Sequence, residues 1–169
     1  MLDNLDSPVR FAGPEDEAEL LRLCRAKHTE EDLRLPDGRP FTFSEDRCRA
    51  TLHKAIIPNR NHPTMAWCGV IGEVGGPIEA SVYLNLLTPY DSEEQYLSER
   101  WNWIRPEFRK GTNHGQHLIA FSKAIAAELN TIVIAAVISD DEESAKMRFF
   151  KRNGAKPLGA MYVFSHGVN

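Results

Sequence analysis

Between Arg109 and Gly115 the chain reads Arg-Lys-Gly-Thr-Asn-His-Gly, and a stretch with helical periodicity follows directly. Backbone N–H groups at a helix start have no partner within the helix. Set beside two cationic side chains, they make a receptor for an anion such as a phosphate or pyrophosphate. Gly111 and Gly115 allow a close approach or unusual dihedrals there. The loop is not a Walker A sequence, because Gln116-His117 stands where Lys-Ser/Thr is required, and it lacks the dinucleotide pattern Gly-x-Gly-x-x-Gly. Taken alone, these residues also fit a surface turn with a glycine kink.

The flanking elements must aim that loop. Residues 95–104 form an aromatic-rich strand, which Pro106 interrupts. Residues 115–129 carry Leu118, Phe121, Ile125 and Leu129 on one helical stripe. Upstream, residues 9–11 open a short strand. Gly13-Pro14-Glu15-Asp16 begins a helix lasting to about Lys27. Residues 29–42 are polar with a turn at Pro36-Asp37-Gly38, Ser44 is placed to cap a second helix, and Pro58 stops it. Residues 64–71 and 78–87 read as strands joined by a glycine-rich turn, with Ile78, Ala80, Val82, Leu84 and Leu86 on one face of the second. Downstream, residues 131–139 are an uninterrupted apolar strand of the kind buried on both faces. A helix then runs from the acids at 140–143 to Gly154, and residues 160–164 close the chain as a strand. The order strand, two helices, three strands, helix, strand, helix, strand describes an α+β (α/β layered) single domain over residues 1–169 with a mixed sheet.

Bulk properties narrow the class. The 169 residues are 42% apolar and 26% charged, with a formal net charge of −4 and a pI near 5.9. No overall basic field exists for a nucleic-acid partner. Three widely spaced cysteines, Cys24, Cys48 and Cys68, read as free thiols in a reducing compartment. The start MLDNLDSPVR has no signal-peptide pattern and no apolar run reaches 18 residues, so a cytoplasmic chain without membrane contact is expected.

The segment Ile104-Arg-Pro-Glu-Phe-Arg-Lys-Gly-Thr-Asn-His-Gly-Gln-His-Leu118 resembles the acyl-CoA-binding motif of the GCN5-related N-acetyltransferases (GNAT). Pro106, Phe108, Arg109, Gly115 and Leu118 match it. Lys110 takes the Gln/Arg place, Asn113 replaces the middle glycine, and the run from Pro106 to Gly115 is one residue longer than in the commonest version. A second likeness, from Ser144 to Ala155, is to the family's later helix. Phe149 and Phe150 stand where many members carry a tyrosine that protonates the departing thiolate, and Ala155 stands where an aromatic is usual. The resemblance implies a mixed, mostly antiparallel sheet flanked by helices and acetyl-CoA as cosubstrate. It also implies that the backbone of Arg109, Lys110, Gly111, Thr112, Asn113, His114 and Gly115 surrounds the pyrophosphate, and that the Ile104 N–H polarises the acetyl carbonyl.

Acetyl transfer to an amine needs an unprotonated amine, a polarised carbonyl and a thiolate able to leave. Glu99 is the first candidate base, because it lies on the strand entering the loop and its parity places it on one face with Trp101 and Trp103. Glu73, Glu79 and Glu107 are weaker candidates, and His53 is more simply a structural helical histidine. Tyr162 or Tyr83 could act as acid. Ser144 is a candidate contact for the pantetheine arm or ribose, ahead of Asn153. His114 and His117 lack a third ligand, and no metal is expected. The aromatics Tyr96, Trp101, Trp103 and Phe108 fit either core packing or an acceptor pocket. The expected function is an N-acetyltransferase acting on a primary amine of a small molecule or peptide, as a monomer or homodimer. The alternative is a non-catalytic acyl-CoA-binding or interaction domain.

Overall fold

A computed structural model describes residues 7–34, 37–57, 65–136 and 145–158. In chain order the elements are β1 (Arg10–Phe11), a 3₁₀ turn (Pro14–Asp16), α1 (Glu17–Glu31), α2 (Glu45–Ile56), β2 (Ala66–Gly72), β3 (Ile78–Leu87) and β4 (Tyr96–Ile104). A second 3₁₀ turn (Pro106–Phe108), α3 (His114–Glu128), β5 (Val133–Ala135) and α4 (Ala145–Arg152) follow. The expected closing strand at 160–164 lies outside the described residues. The strands form one sheet in the order β1-β2-β3-β4-β5, antiparallel except for the parallel β4–β5 pair. Among the described residues no helix is long and apolar enough to cross a membrane.

Local chemistry accounts for the element boundaries. Ser44 Oγ accepts from the Arg47 amide at 3.4 Å, so α2 is capped as its sequence requires. Helix α1 passes Lys27, where the sequence suggested an end, and runs to Glu31. Lys27 and Glu31 pair one turn apart, and Asp32 turns the chain off in the left-handed region at φ 38°.

Two apolar layers sandwich the sheet. Leu20, Leu23, Leu52 and Ile56 from α1 and α2 pack with Val70, Tyr83 and Trp103 on one face. Leu118, Phe121 and Ile125 from α3 pack with Ala80, Val82, Leu84 and Leu97 on the other. Gly69 lets α3 lie close to β2, because a Cβ there would sit 2.8 Å from the Phe121 ring. Residues Ala80–Leu84 are buried without a break, as expected of a strand covered on both sides. Ile78, expected with Ala80 and Val82, packs instead in the α1–α2 layer, beside the register shift at Ile71/Gly72. Strand β5 also departs from expectation. Within the described residues it is three residues long, Val133 and Ile134 are half-buried, and Ala135 is exposed.

Candidate active site

Strands β4 and β5 pair in parallel from Leu97↔Val133 to Glu99↔Ala135. The described pairing ends there, while β4 continues to Ile104. At that point β4 bulges. Leu84 pairs with Glu99 and Tyr83 with Trp101, which leaves Arg100 without a partner residue. A bulge bends its strand and raises the local twist, and this one directly follows the last described β4–β5 pair, Glu99↔Ala135.

The bulge also corrects the parity reading. Glu99 does not share a face with Trp101 and Trp103, because the extra residue inverts the alternation. Glu99 lies opposite Leu84 on the α3 face, whereas Trp101 stacks on Tyr83 at 4.6 Å and Trp103 belongs to the α1–α2 layer. Beyond the bulge the Arg105 amide bonds the Glu79 carbonyl at 2.9 Å, which turns the Arg105 and Trp103 amides toward β3. By alternation the Asn102 and Ile104 amides face the opposite edge of β4, where no partner strand lies among the described residues.

Below this edge the chain enters the glycine loop. Pro106 starts a 3₁₀ turn closed by Phe108 N to Arg105 O at 2.9 Å, and Thr112 Oγ1 donates to Phe108 O at 2.6 Å. Gly111 adopts φ 79°, a left-handed conformation that glycine takes without strain. Asn113 is the N-cap of α3 but makes no side-chain cap. Among the described residues, the Lys110, Gly111, Thr112, Asn113, Gly115 and Gln116 amides have no hydrogen-bond partner, and His114 N has only Thr112 Oγ1 at 3.5 Å. This row of free donors at a helix start, with the exposed Lys110 beside it, fits a pyrophosphate.

The other loop cation is engaged. Arg109 NH2 donates to Glu30 Oε2 and NH1 pairs with Oε1, both at 2.6 Å, Nε donates to Ile104 O at 2.9 Å, and the guanidinium stacks 5.5 Å from the Trp103 ring. Trp103 Nε1 donates to the same Glu30 at 3.0 Å. Arg109 therefore latches the loop to the end of α1. The His114 ring lies 2.6 Å from Glu79 Oε2 and stacks on Phe108. Gly115 is buried against α4, where an added Cβ would lie 2.7 Å from Phe149 Cζ.

Glu99 is 7% exposed, and Asn102 Nδ2 donates to its Oε2 at 3.3 Å. Burial raises its carboxyl above the usual glutamate range, against the opposing pull of Lys146 and Asn102. Of the remaining sequence candidates, Tyr83 belongs to the α1–α2 layer. It is fully buried and donates to Thr51 O at 2.6 Å, and burial raises its hydroxyl pKa. His53 faces Glu17 at 2.9 Å. Ser144 and Tyr162 lie outside the described residues. Sequence reasoning missed Glu30 and Asn102. Only Asn102 carried a signal, standing two residues before Ile104 on the same strand edge.

A mostly antiparallel sheet with one parallel pair, flanked by helices, and a glycine loop feeding a helix start together define a GNAT-like acyl-CoA N-acyltransferase architecture. No family model and no curated relative matches the sequence. Solved structures share the fold. The tetramutant of BH1408 protein from Bacillus halodurans aligns with a TM-score of 0.67 and 15% identity, over 93% of this chain and 98% of that one. An integron cassette protein from the mobile metagenome of Cole Harbour Salt Marsh gives 0.68 and 16%, over 96% and 91%. An aminoglycoside acetyltransferase from an uncultured soil metagenomic sample, in complex with trehalose, gives 0.64 and 13%, over the whole of both chains.

Proposed function

We propose that this chain is an N-acetyltransferase that moves the acetyl group of acetyl-CoA to a primary amine of a small molecule or peptide by direct attack. One observation carries the reading: β4 bulges at Arg100 beside the uncapped start of α3, whose first amides have no partner among the described residues. The bulged strand turns the Asn102 and Ile104 amides away from β3 as donors for a carbonyl, and the helix start offers main-chain donors for a pyrophosphate. The fold shared with an aminoglycoside acetyltransferase supports it.

Each residue then has a role. The amides of Gly111, Thr112, Asn113, His114 and Gly115, with Lys110, hold the pyrophosphate. Arg109 holds the loop in place through Glu30. The Ile104 amide, with Asn102 beside it on the edge, polarises the thioester carbonyl. Glu99 accepts the proton the amine releases, and its raised carboxyl suits a base working near neutrality. Ser144 contacts the pantetheine arm, and Tyr162 is a candidate acid. The cosubstrate supplies an acetyl group already activated as a thioester.

A second reading, a non-catalytic acyl-CoA-binding domain, is favoured by the Phe149 ring packed against Gly115 and by phenylalanine at both 149 and 150. Calorimetry with CoA and acetyl-CoA, followed by thiol release across a panel of amines, separates the two. Binding with thiol release supports acetyl transfer. Binding without release on any amine favours the second reading, and no binding at millimolar ligand overturns both.

A further inference from the structure

Helices α1 and α2 are tied at both ends of a shared seam. Toward the end of α1, Arg25 NH2 donates to Oε2 of Glu45, the first residue of α2, at 2.6 Å. At the other end Glu17, the first residue of α1, accepts from Arg49 and lies 2.9 Å from His53 Nε2. The helices therefore run antiparallel, with residues 17–25 facing residues 45–53. Leu20, Leu21 and Cys24 are buried on α1, while Leu52 is buried on α2 and Cys48 packs, half-buried, on the same layer. Cys24 stands next to Arg25, and Cys48 follows Glu45 by nearly one turn on the same helix face. The Arg25–Glu45 bond thus sets the two thiols against each other across the seam. Both are free cysteines.

We propose that Cys24 and Cys48 are a site of reversible oxidation, at which hydrogen peroxide joins α1 to α2 by a disulfide. The Cys48 thiolate attacks the peroxide and the O–O bond breaks. Cys48 becomes a sulfenic acid, and the other oxygen leaves as hydroxide, which regains as water the proton Cys48 lost on ionising. The Cys24 sulfur then attacks the Cys48 sulfur. The S–O bond breaks, and the departing hydroxide takes the Cys24 proton and leaves as water. Two thiols lose two electrons and two protons, and the peroxide takes up both and ends as two waters. A dithiol reductant reverses the bond by thiol–disulfide exchange, as suits thiols held in a reducing compartment. Neither the bond nor its formation depends on acetyl transfer.

The two thiols divide the work. Hydrogen bonding to Cys24 lowers the Cys48 thiol, against its burial and the nearby Glu45. The same contact, followed by burial, raises Cys24. The more exposed sulfur is therefore the one that ionises and meets the oxidant, with its buried partner already in place behind it. A cleft of about 600 Å³ lined by Leu21, Arg25, Glu45 and Arg49 opens along the same seam, wide enough for a molecule as small as peroxide. Cys68, on β2 in the same layer, is buried and its thiol is raised by that burial, which makes it an internal control.

The test treats the native wild-type chain with millimolar hydrogen peroxide, blocks the remaining thiols with N-ethylmaleimide in denaturant, and maps the peptides by mass spectrometry. A Cys24–Cys48 link within one chain should appear, should be lost on adding dithiothreitol, and should leave Cys68 alkylated. Cys24→Ala should stop the oxidation at a Cys48 sulfenic acid, trapped by dimedone. Cys48→Ala should leave Cys24 alkylatable. Because the fold already holds the two sulfurs together, the bond should raise the urea midpoint of the wild-type chain by about 1 M. Unmodified Cys24 and Cys48, a link through Cys68 or between two chains, or a urea midpoint no higher than that of the reduced chain overturns the proposal.

Discussion

Burial raises the Glu99 carboxyl above the ordinary glutamate value, with Lys146 and Asn102 pulling the other way. As a base Glu99 works only when ionised, so kcat should climb with pH through that raised value. Glu99→Gln should abolish this limb and lower kcat about 100-fold or more, with CoA affinity unchanged by calorimetry. For folding, the native state holds this proton more tightly than the unfolded chain. The Glu99 contribution is therefore full below the unfolded glutamate value and is lost as pH rises through the folded one. The two loop cations should also separate. Lys110 is exposed and has no partner among the described residues, so Lys110→Gln should weaken CoA binding about 3- to 5-fold and reduce its salt dependence. Arg109 is bound to Glu30 and stacked on Trp103. Arg109→Gln should leave the salt dependence unchanged and cost about 0.5–1 kcal/mol in urea unfolding, a modest figure because both partners are partly exposed.

Two elements meet where Gly115, near the start of α3, receives Phe149 of α4. An alanine here has opposing effects. It removes a helical glycine, a gain of up to about 1 kcal/mol. It also drives a methyl to 2.7 Å from the Phe149 ring, and overpacking of that kind costs about 1–3 kcal/mol. The contact should win. Gly115→Ala should lower the urea midpoint, and adding Phe149→Ala should recover much of the loss. Gly115→Asp adds a carboxylate against the expected pyrophosphate and should abolish CoA binding measured by calorimetry. The bulge at Arg100 is the other decisive element. It sends Trp101 and Trp103 into the α1–α2 layer while Glu99 stays on the α3 face, so one extra residue separates the packing aromatics from the candidate base.

The whole molecule is tied at its N-terminal edge by Asp16. This side chain is fully buried and accepts Arg10 NH1 at 2.7 Å, Arg10 NH2 at 2.8 Å, Gly13 N at 2.9 Å and Gly75 N at 3.1 Å. One carboxylate thus joins β1, the start of α1 and the β2–β3 turn. Burial raises the Asp16 carboxyl, but the Arg10 bonds and the two amides outweigh it, and the net direction is down. The stability this supplies is present above the unfolded aspartate value and lost as pH falls through the folded one. Asp16→Asn should cost about 3 kcal/mol at neutral pH, and the gap from wild type should narrow in acid, as read from urea midpoints against pH.

Much of the fold was legible because its signals are local. Ser44 caps α2, Pro106 ends β4, glycine marks the loop, and the period of Leu118, Phe121 and Ile125 writes a helix with one buried face. The position of the glycine loop before α3 followed from those residues alone. The arrangement of groups around it did not. Nothing in the run from Gln95 to Ile104 marks Arg100 as the unmatched residue, and counting by twos through it put Glu99 on the wrong face. Register is settled by what β4 packs against on each side. The Arg109–Glu30 latch joins residues 79 positions apart, and Glu99 owes its raised carboxyl to burial by segments distant in the chain. Helix caps and turns depend on neighbours in the chain, so the sequence alone determined them. Facing charges and their proton affinities depend on burial by distant segments, and only the tertiary structure decided those.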